Sequence, residues 1–241
     1  MTPEELYAKA TDNLELIRSE RPRVHVLTNF VAMNVSANVL LAAGAIPSMT
    51  IDETVIEEFV GSARSLVVNL GQLDPWRKIS VPMAIAVANK LGRPWLLDPV
   101  KVDRSGRRLA FATLLMDLRP TVLRCNRGEV GTLEGAAGLV IAETGEVDHV
   151  TDGTRRIDIH NGSPLMARIT AMGCALSALN GAFLAVDPDP FTATASALLV
   201  FAIAGDIAAG KAGGPGTFQP HLIDAIYHLD GPTIARRARI T

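Results

Sequence analysis

Two rhythms of apolar positions divide this chain. Leu6, Leu14 and Ile17 fall at helical spacing and predict an amphipathic helix in the opening segment. VHVLTNF at 24–30 predicts a strand entering a polar turn, and 31–43 the helix after it, ended by Gly44. AIPSMTI at 45–51 follows as a strand and ETVIEEFVGSA as a helix. SLVVNLG at 65–71 is a continuous apolar run of the kind a buried parallel strand needs. A helix over 80–91, closed by Gly92, leads to a strand at 94–100 and a helix at 108–117. The next strand is 121–124. Residues 139–144 and 147–151 predict two strands joined through Gly145 and Glu146. Asp152-Gly153 then turns a hairpin into RRIDIHN. Three helices, 174–186, 190–210 and 220–228, complete the chain.

Strands alternating with helices imply right-handed crossovers and a doubly wound, mostly parallel sheet flanked by helices. No repeat or low-complexity linker interrupts 1–241, which reads as a single domain. Ligands of such sheets lie beyond the C-terminal strand edge. Asn29, Met49, Gly71, Asp98, Arg124 and Thr144 all fall at or near predicted strand ends there.

Composition agrees. Of 241 residues, 48% are hydrophobic but only 5% aromatic, so the core is built from Ala, Val, Leu and Ile, which suits a helix-wrapped sheet better than a β-sandwich. A net charge of -2 with no basic stripe argues against nucleic acid as a partner. The best apolar stretch, Ala193 to Ala209, is broken by Thr194, Ser196, Gly205 and Asp206, so no membrane span is expected. The N-terminus lacks the order of a signal peptide, and Cys125 and Cys174 are expected as free thiols in the cytoplasm.

Five groups of residues carry candidate chemistry. Ala171 to Cys174 open an apolar helix, where free amides and the helix field favour an anion and a lowered thiol pKa. On that reading Cys174 takes a proton from an alcohol; on the plainer one it is a small apolar residue in a helix cap. Asn126 and Glu129, three apart after a strand, suit either a water-coordinated Mg²⁺ or a capping box. Asp98 offers a second magnesium carboxylate or a turn. Arg124 and Thr144 face phosphates or form a salt bridge and a turn. Met49 suits a flat aromatic ligand or the core, and His25 reads as structural.

The order of these pieces resembles the hydroxyethylthiazole kinase family of the ribokinase-like superfamily. The resemblance is carried by VHVLTNFVAMNVSANVLLAAGAIPSM, then VVNLGQL, LLDPV, PTVLRCNRGE, TGEVDHVTDG, HNGSPLM, GCALSA and GPGTFQP, over about 24–228. It implies transfer of the γ-phosphate of ATP to the alcohol of 4-methyl-5-(2-hydroxyethyl)thiazole, for thiamine biosynthesis or salvage. It places Asn29, Met49, Gly71 and Ala171 against the thiazole, and Arg124 and Thr144 against ATP. Asp98 and Glu129 are implied for Mg²⁺, and Cys174 stands at the catalytic position. It implies a homotrimer with its sites at subunit interfaces.

Three departures from the family pattern stand out. Gly-Thr-Gly-Cys is Ala171-Met172-Gly173-Cys174 here, and Lys101-Val102-Asp103 replaces a Gly-rich continuation after Asp-Pro-Val. Only 14 residues, 130 to 143, separate Glu129 from Thr144, so a longer helical insertion of the family is missing. A crossover needs at least ~10–12 residues, so a short helix and strand still fit. These departures keep two other readings open: a sibling kinase for another small alcohol, or a non-catalytic thiazole-binding homologue.

Overall fold

The computed structural model describes residues 1–133 and 138–241. Eight strands form one sheet: β1 (Arg23–Leu27), β2 (Ile46–Ser48), β3 (Ser65–Asn69), β4 (Trp95–Asp98), β5 (Val122–Asn126), β6 (Val140–Thr144), β7 (Asp148–Thr151) and β8 (Arg156–Ile159). Their order is β2-β1-β3-β4-β5-β6-β7-β8. All pairs from β2 to β6 are parallel, and the β6–β7–β8 edge is antiparallel.

The helices are α1 (Pro3–Glu20), α2 (Phe30–Ala43), α3 (Ile56–Gly61), α4 (Pro75–Lys90), α5 (Gly106–Met116), α6 (Arg127–Val130), α7 (Met172–Leu184), α8 (Pro190–Lys211), α9 (Pro215–His228) and α10 (Gly231–Arg237). Helix starts share one device. Thr2, Asn29, Asp74, Ser105 and Asp189 each accept the amide three residues on, contacts worth ~1 kcal/mol apiece. The Asp74 cap and Pro75 start α4 five positions before the expected 80, with Pro82 carried inside it. β2 is shorter than 45–51 because it is an edge strand paired only with β1. The sequence reading did not foresee α10 or the 3-10 turns at Val102–Arg104 and Pro164–Arg168.

Apolar side chains fill both faces of the sheet. One face packs under α1, α2, α7, α8 and α9 and the other under α3, α4 and α5. α8 corrects the reading that no segment has the length and apolarity of a membrane span. It meets both criteria over Pro190–Lys211, yet most of its residues lie in the protein core. Among the described residues, the shortened β5–β6 crossover contains the four-residue α6; 134–137 lie outside them. The outward face of the neighbouring edge is polar: Glu143 faces His149, and His149 faces Asp158 across the strands. His149 Nδ1 lies 2.8 Å from Asp158 Oδ1, and Arg156 donates to the same carboxylate.

Candidate active site

Residues two apart on a strand share a face. Val67, Leu96, Val122 and Ala142 belong to the core beneath α7 and α8. Two residues further on, that same face carries Asn69, Asp98, Arg124 and Thr144. The apolar rows therefore end in polar side chains at the C-terminal edge, where α7 begins.

These groups bond to one another. Asn69 stands opposite Asp98 in the β3–β4 register, and its Nδ2 donates to Asp98 Oδ2 at 2.7 Å. Ser177 Oγ donates to the same oxygen at 2.7 Å. Asp98 is wholly buried, and its Oδ1 has no hydrogen-bond partner among the described residues. Arg124 Nη1 lies 3.6 Å from Asp98 Oδ2, while Nη2 donates to Thr144 Oγ1 at 2.6 Å. Gly173 makes room for this guanidinium. A Cβ there would stand 2.6 Å from Arg124 Nη1, so any larger residue displaces the arginine.

Cys174 closes the cluster. Its sulfur accepts from Asn69 Nδ2 at 3.2 Å and from Asn29 Nδ2 at 3.5 Å. Asn29 caps α2 through Ala32, and Gly71 packs against both asparagines, with a Cβ there falling 2.5 Å from Asn29 Nδ2. Burial pushes the Cys174 thiol up to about 11, and the Asp98 charge adds to this; the two asparagine N–H groups work the other way. The lowered pKa expected at a helix start is thus reversed, because desolvation of a half-enclosed sulfur dominates.

The α7 turn keeps the backbone geometry that the sequence suggested. Ala171 takes the left-handed conformation, φ 65° and ψ 11°, without a side-chain cap. The amides of Met172, Gly173 and Cys174 have no carbonyl four residues back to pair with, so they remain open to an anion. Met172 turns into the core and is only 6% exposed.

Glu129 realises the capping box. Its Oε2 accepts Asn126 N–H at 3.0 Å and its Oε1 accepts Lys101 N–H at 2.6 Å. It therefore ties the β4–α5 loop, where Lys101 adopts a left-handed φ of 58°, to the start of α6. Among the described residues, no group of three or more His, Cys, Asp or Glu side chains is arranged to hold a metal by itself.

Met49 lies apart from this hydrogen-bonded cluster. It lines a hollow of about 570 Å³ at the end of β2 with Ile51, Glu53 and Trp76. A second hollow of about 500 Å³ sits at the opposite sheet edge, between Arg93, Thr121 and Asp187, away from these groups. His25 is structural, as expected: it bridges Ser48 and Thr50 on either side of Met49.

Four contributors escaped the sequence reading. Asn69 was visible only as the polar end of an apolar strand. Ser177 sits one helical turn after Cys174. Arg77, 1% exposed, donates twice to the Thr28 carbonyl and pairs with Asp74, fixing the turn that carries Asn29. Arg108 holds the Leu70 and Gly71 carbonyls. A buried arginine satisfied by distant carbonyls leaves no local sequence signal.

The profile of the hydroxyethylthiazole kinase family matches residues 14–139 and 135–231. The chain belongs to that family. The two matched pieces of the hydroxyethylthiazole kinase profile meet at 135–139, within the shortened β5–β6 connection. A probable hydroxyethylthiazole kinase of Agrobacterium fabrum is 45% identical over 97% of this chain and 95% of its own length. The hydroxyethylthiazole kinase of Arabidopsis thaliana is 38% identical over 95% of this chain and 93% of its own. The solved hydroxyethylthiazole kinase structure from Pyrococcus horikoshii superposes with a TM-score of 0.92 at 37% identity, covering 96% of this chain and 98% of that one. Pyridoxal kinase from Staphylococcus aureus, solved with AMP-PCP and pyridoxal, shares the ribokinase-like fold with a TM-score of 0.59 at 15% identity, over 77% of this chain and 88% of that one.

Proposed function

We propose that the whole chain acts as one cytoplasmic kinase domain that transfers the γ-phosphoryl group of ATP to the primary alcohol of 4-methyl-5-(2-hydroxyethyl)thiazole, in thiamine biosynthesis or salvage. The observation that carries this reading is the meeting of Asp98, Arg124, Thr144, Asn29, Gly71 and Cys174 at the open amides of α7. A cation, an anion-binding turn and a polar group for an alcohol at one strand edge are the parts that phosphoryl transfer needs.

Asp98 suits Mg²⁺, because its buried Oδ1 is an acceptor without a partner among the described residues. Glu129, its carboxylate held in place by two backbone amides, would be the second carboxylate for the ion. When bound, the ion neutralises charge on the phosphates. Arg124 and Thr144 hold the ATP phosphates, and the Met172 to Cys174 amides receive the γ-phosphoryl group at Ala171. The alcohol oxygen forms its bond to the γ-phosphorus as the bond to the β-phosphate oxygen breaks, and ADP leaves. Since the thiol titrates near 11, Cys174 carries its proton at neutral pH and serves to orient the alcohol. The alcohol proton passes to a phosphoryl oxygen.

Met49 and Trp76 bracket the thiazole ring in the hollow at β2. Trp76, 62% exposed, lines this hollow, and Phe30 and Val31, 61% and 65% exposed, follow Asn29 at the start of α2. Exposed apolar side chains beside a ligand site support a subunit interface there, and the family resemblance makes that interface one of a homotrimer with shared sites.

An ADP-release assay with the thiazole alcohol present and absent tests the activity, and a panel of small alcohols tests the acceptor. Cys174→Ala is expected to lower kcat while calorimetry shows thiazole binding intact. The kcat of the unsubstituted enzyme is expected to stay flat from pH 7 to 9. A tenfold rise per pH unit would replace orientation by base catalysis from the thiolate. Light scattering at the mass of a monomer would remove the shared-site claim.

A further inference from the structure

Asn69 is 2% exposed and uses every hydrogen-bonding position of its carboxamide. Oδ1 accepts from Gly71 N–H at 3.0 Å and from Asn29 Nδ2 at 3.1 Å. Nδ2 donates to Asp98 Oδ2 at 2.7 Å and to Cys174 Sγ at 3.2 Å. The Gly71 amide can only donate, so it fixes which end of the side chain is oxygen. The same argument fixes Asn29, whose Oδ1 accepts Ala32 N–H at 3.0 Å and whose Nδ2 is left for Cys174 at 3.5 Å. Two backbone amides thus dictate that the sulfur meets two N–H donors. A thiol has two lone pairs and one hydrogen. Both lone pairs are engaged, so only the S–H remains for the open side of this half-buried residue.

We infer that Asn69 is a positioning residue that holds the Cys174 sulfur as an acceptor, so that the thiol presents its hydrogen to the acceptor alcohol. The alcohol oxygen then accepts S–H and keeps a second lone pair for phosphorus, while its own proton is left free to depart. No bond to sulfur forms or breaks in this role. The inference rests on the kinase reading for the identity of the ligand, but the direction of the S–H stands on the protein alone.

Two measurements test it. The first is a double-mutant cycle read as kcat/KM for the thiazole alcohol at saturating Mg-ATP, with folding checked by circular dichroism. Asn69→Ala is expected to cost about tenfold in the parent enzyme, the scale of one hydrogen bond, and to cost nothing further in Cys174→Ala. Equal losses in the two backgrounds would mean that Asn69 does not act through the thiol, and would overturn the role. The second is the infrared S–H stretching band, recorded without ligand in a Cys125→Ala background so that only Cys174 contributes. Asn69→Asp keeps the side-chain shape and the acceptor for Gly71; its second oxygen shares one proton with Asp98 Oδ2, 2.7 Å away in the parent, and offers the sulfur a lone pair in place of N–H. The S–H is expected to turn onto that oxygen and its band to move to lower wavenumber. A parent band already at the position of the Asn69→Asp band would overturn the inference, because the hydrogen would then be bonded inside the protein. Absence of turnover with every alcohol would defeat the kinase reading and leave this spectroscopic result untouched.

Discussion

His25 makes the fold sensitive to mild acid. It is fully buried in β1, with Nε2 3.1 Å from the Thr50 carbonyl and Nδ1 2.9 Å from Ser48 Oγ. A carbonyl only accepts, so Nε2 carries the hydrogen and Nδ1 accepts from the serine hydroxyl. Protonating Nδ1 places a charge where no water reaches, and burial lowers the pKa from its ordinary 6.5 to about 4, against a smaller opposing effect of the Thr50 bond. The unfolded chain therefore takes the proton first as pH falls. The stability contribution is fully present above pH 6.5 and drains away as pH falls towards 4. Integrating between those two values gives a loss of ~2 kcal/mol by pH 5. For a chain of this size that is a fall in Tm of ~4–8 °C. The assay is calorimetric or circular-dichroism melting at pH 7 and pH 5, for the parent and for His25→Gln. The variant starts from its own lower Tm but is expected to lose much less between the two pH values. If the two lose the same amount, His25 is not the titrating group and the burial argument is wrong.

Gly173→Ala is expected to raise the KM for ATP about tenfold or more with the fold intact, because the new methyl displaces the Arg124 guanidinium; unchanged ATP kinetics would detach Arg124 from the nucleotide. Ala171→Gly relieves a left-handed φ of 65° and should stabilise by ~1 kcal/mol, a rise in Tm of ~2–4 °C by calorimetry. A fall in Tm would show that the turn carries no strain. Glu129→Gln keeps one carbonyl acceptor for the two amides at Lys101 and Asn126, so a stability loss of only ~1 kcal/mol is expected in urea melts. Turnover should drop much further and require more Mg²⁺; near-normal turnover at ordinary Mg²⁺ would leave Glu129 as a cap alone.

The sequence by itself determined the alternation of strands and helices, and with it the sheet edge where the candidate site residues lie. The reason is local: apolar period and turn chemistry act within a few residues. The same local logic placed Asn29, Asp98, Arg124 and Thr144 at strand ends, and Ala171 to Cys174 at a helix start. Motif order then identified the family that the profile and the relatives bear out. What the sequence left open were choices decided by distant neighbours. The cap by Glu129 is local, but that its other oxygen holds the amide of Lys101, 28 residues away, was not. The thiol pKa depended on whether burial or the helix field prevails at Cys174, and burial is a property of everything packed around the sulfur. Asn69 and Arg77 acquire meaning only once β3 lies beside β4 and the Thr28 carbonyl reaches α4. The reading of 190–210 as a helix was sound, but only the tertiary structure decided that so apolar a helix lies inside the protein, because α1, α7 and α9 supply the surface against which it is buried.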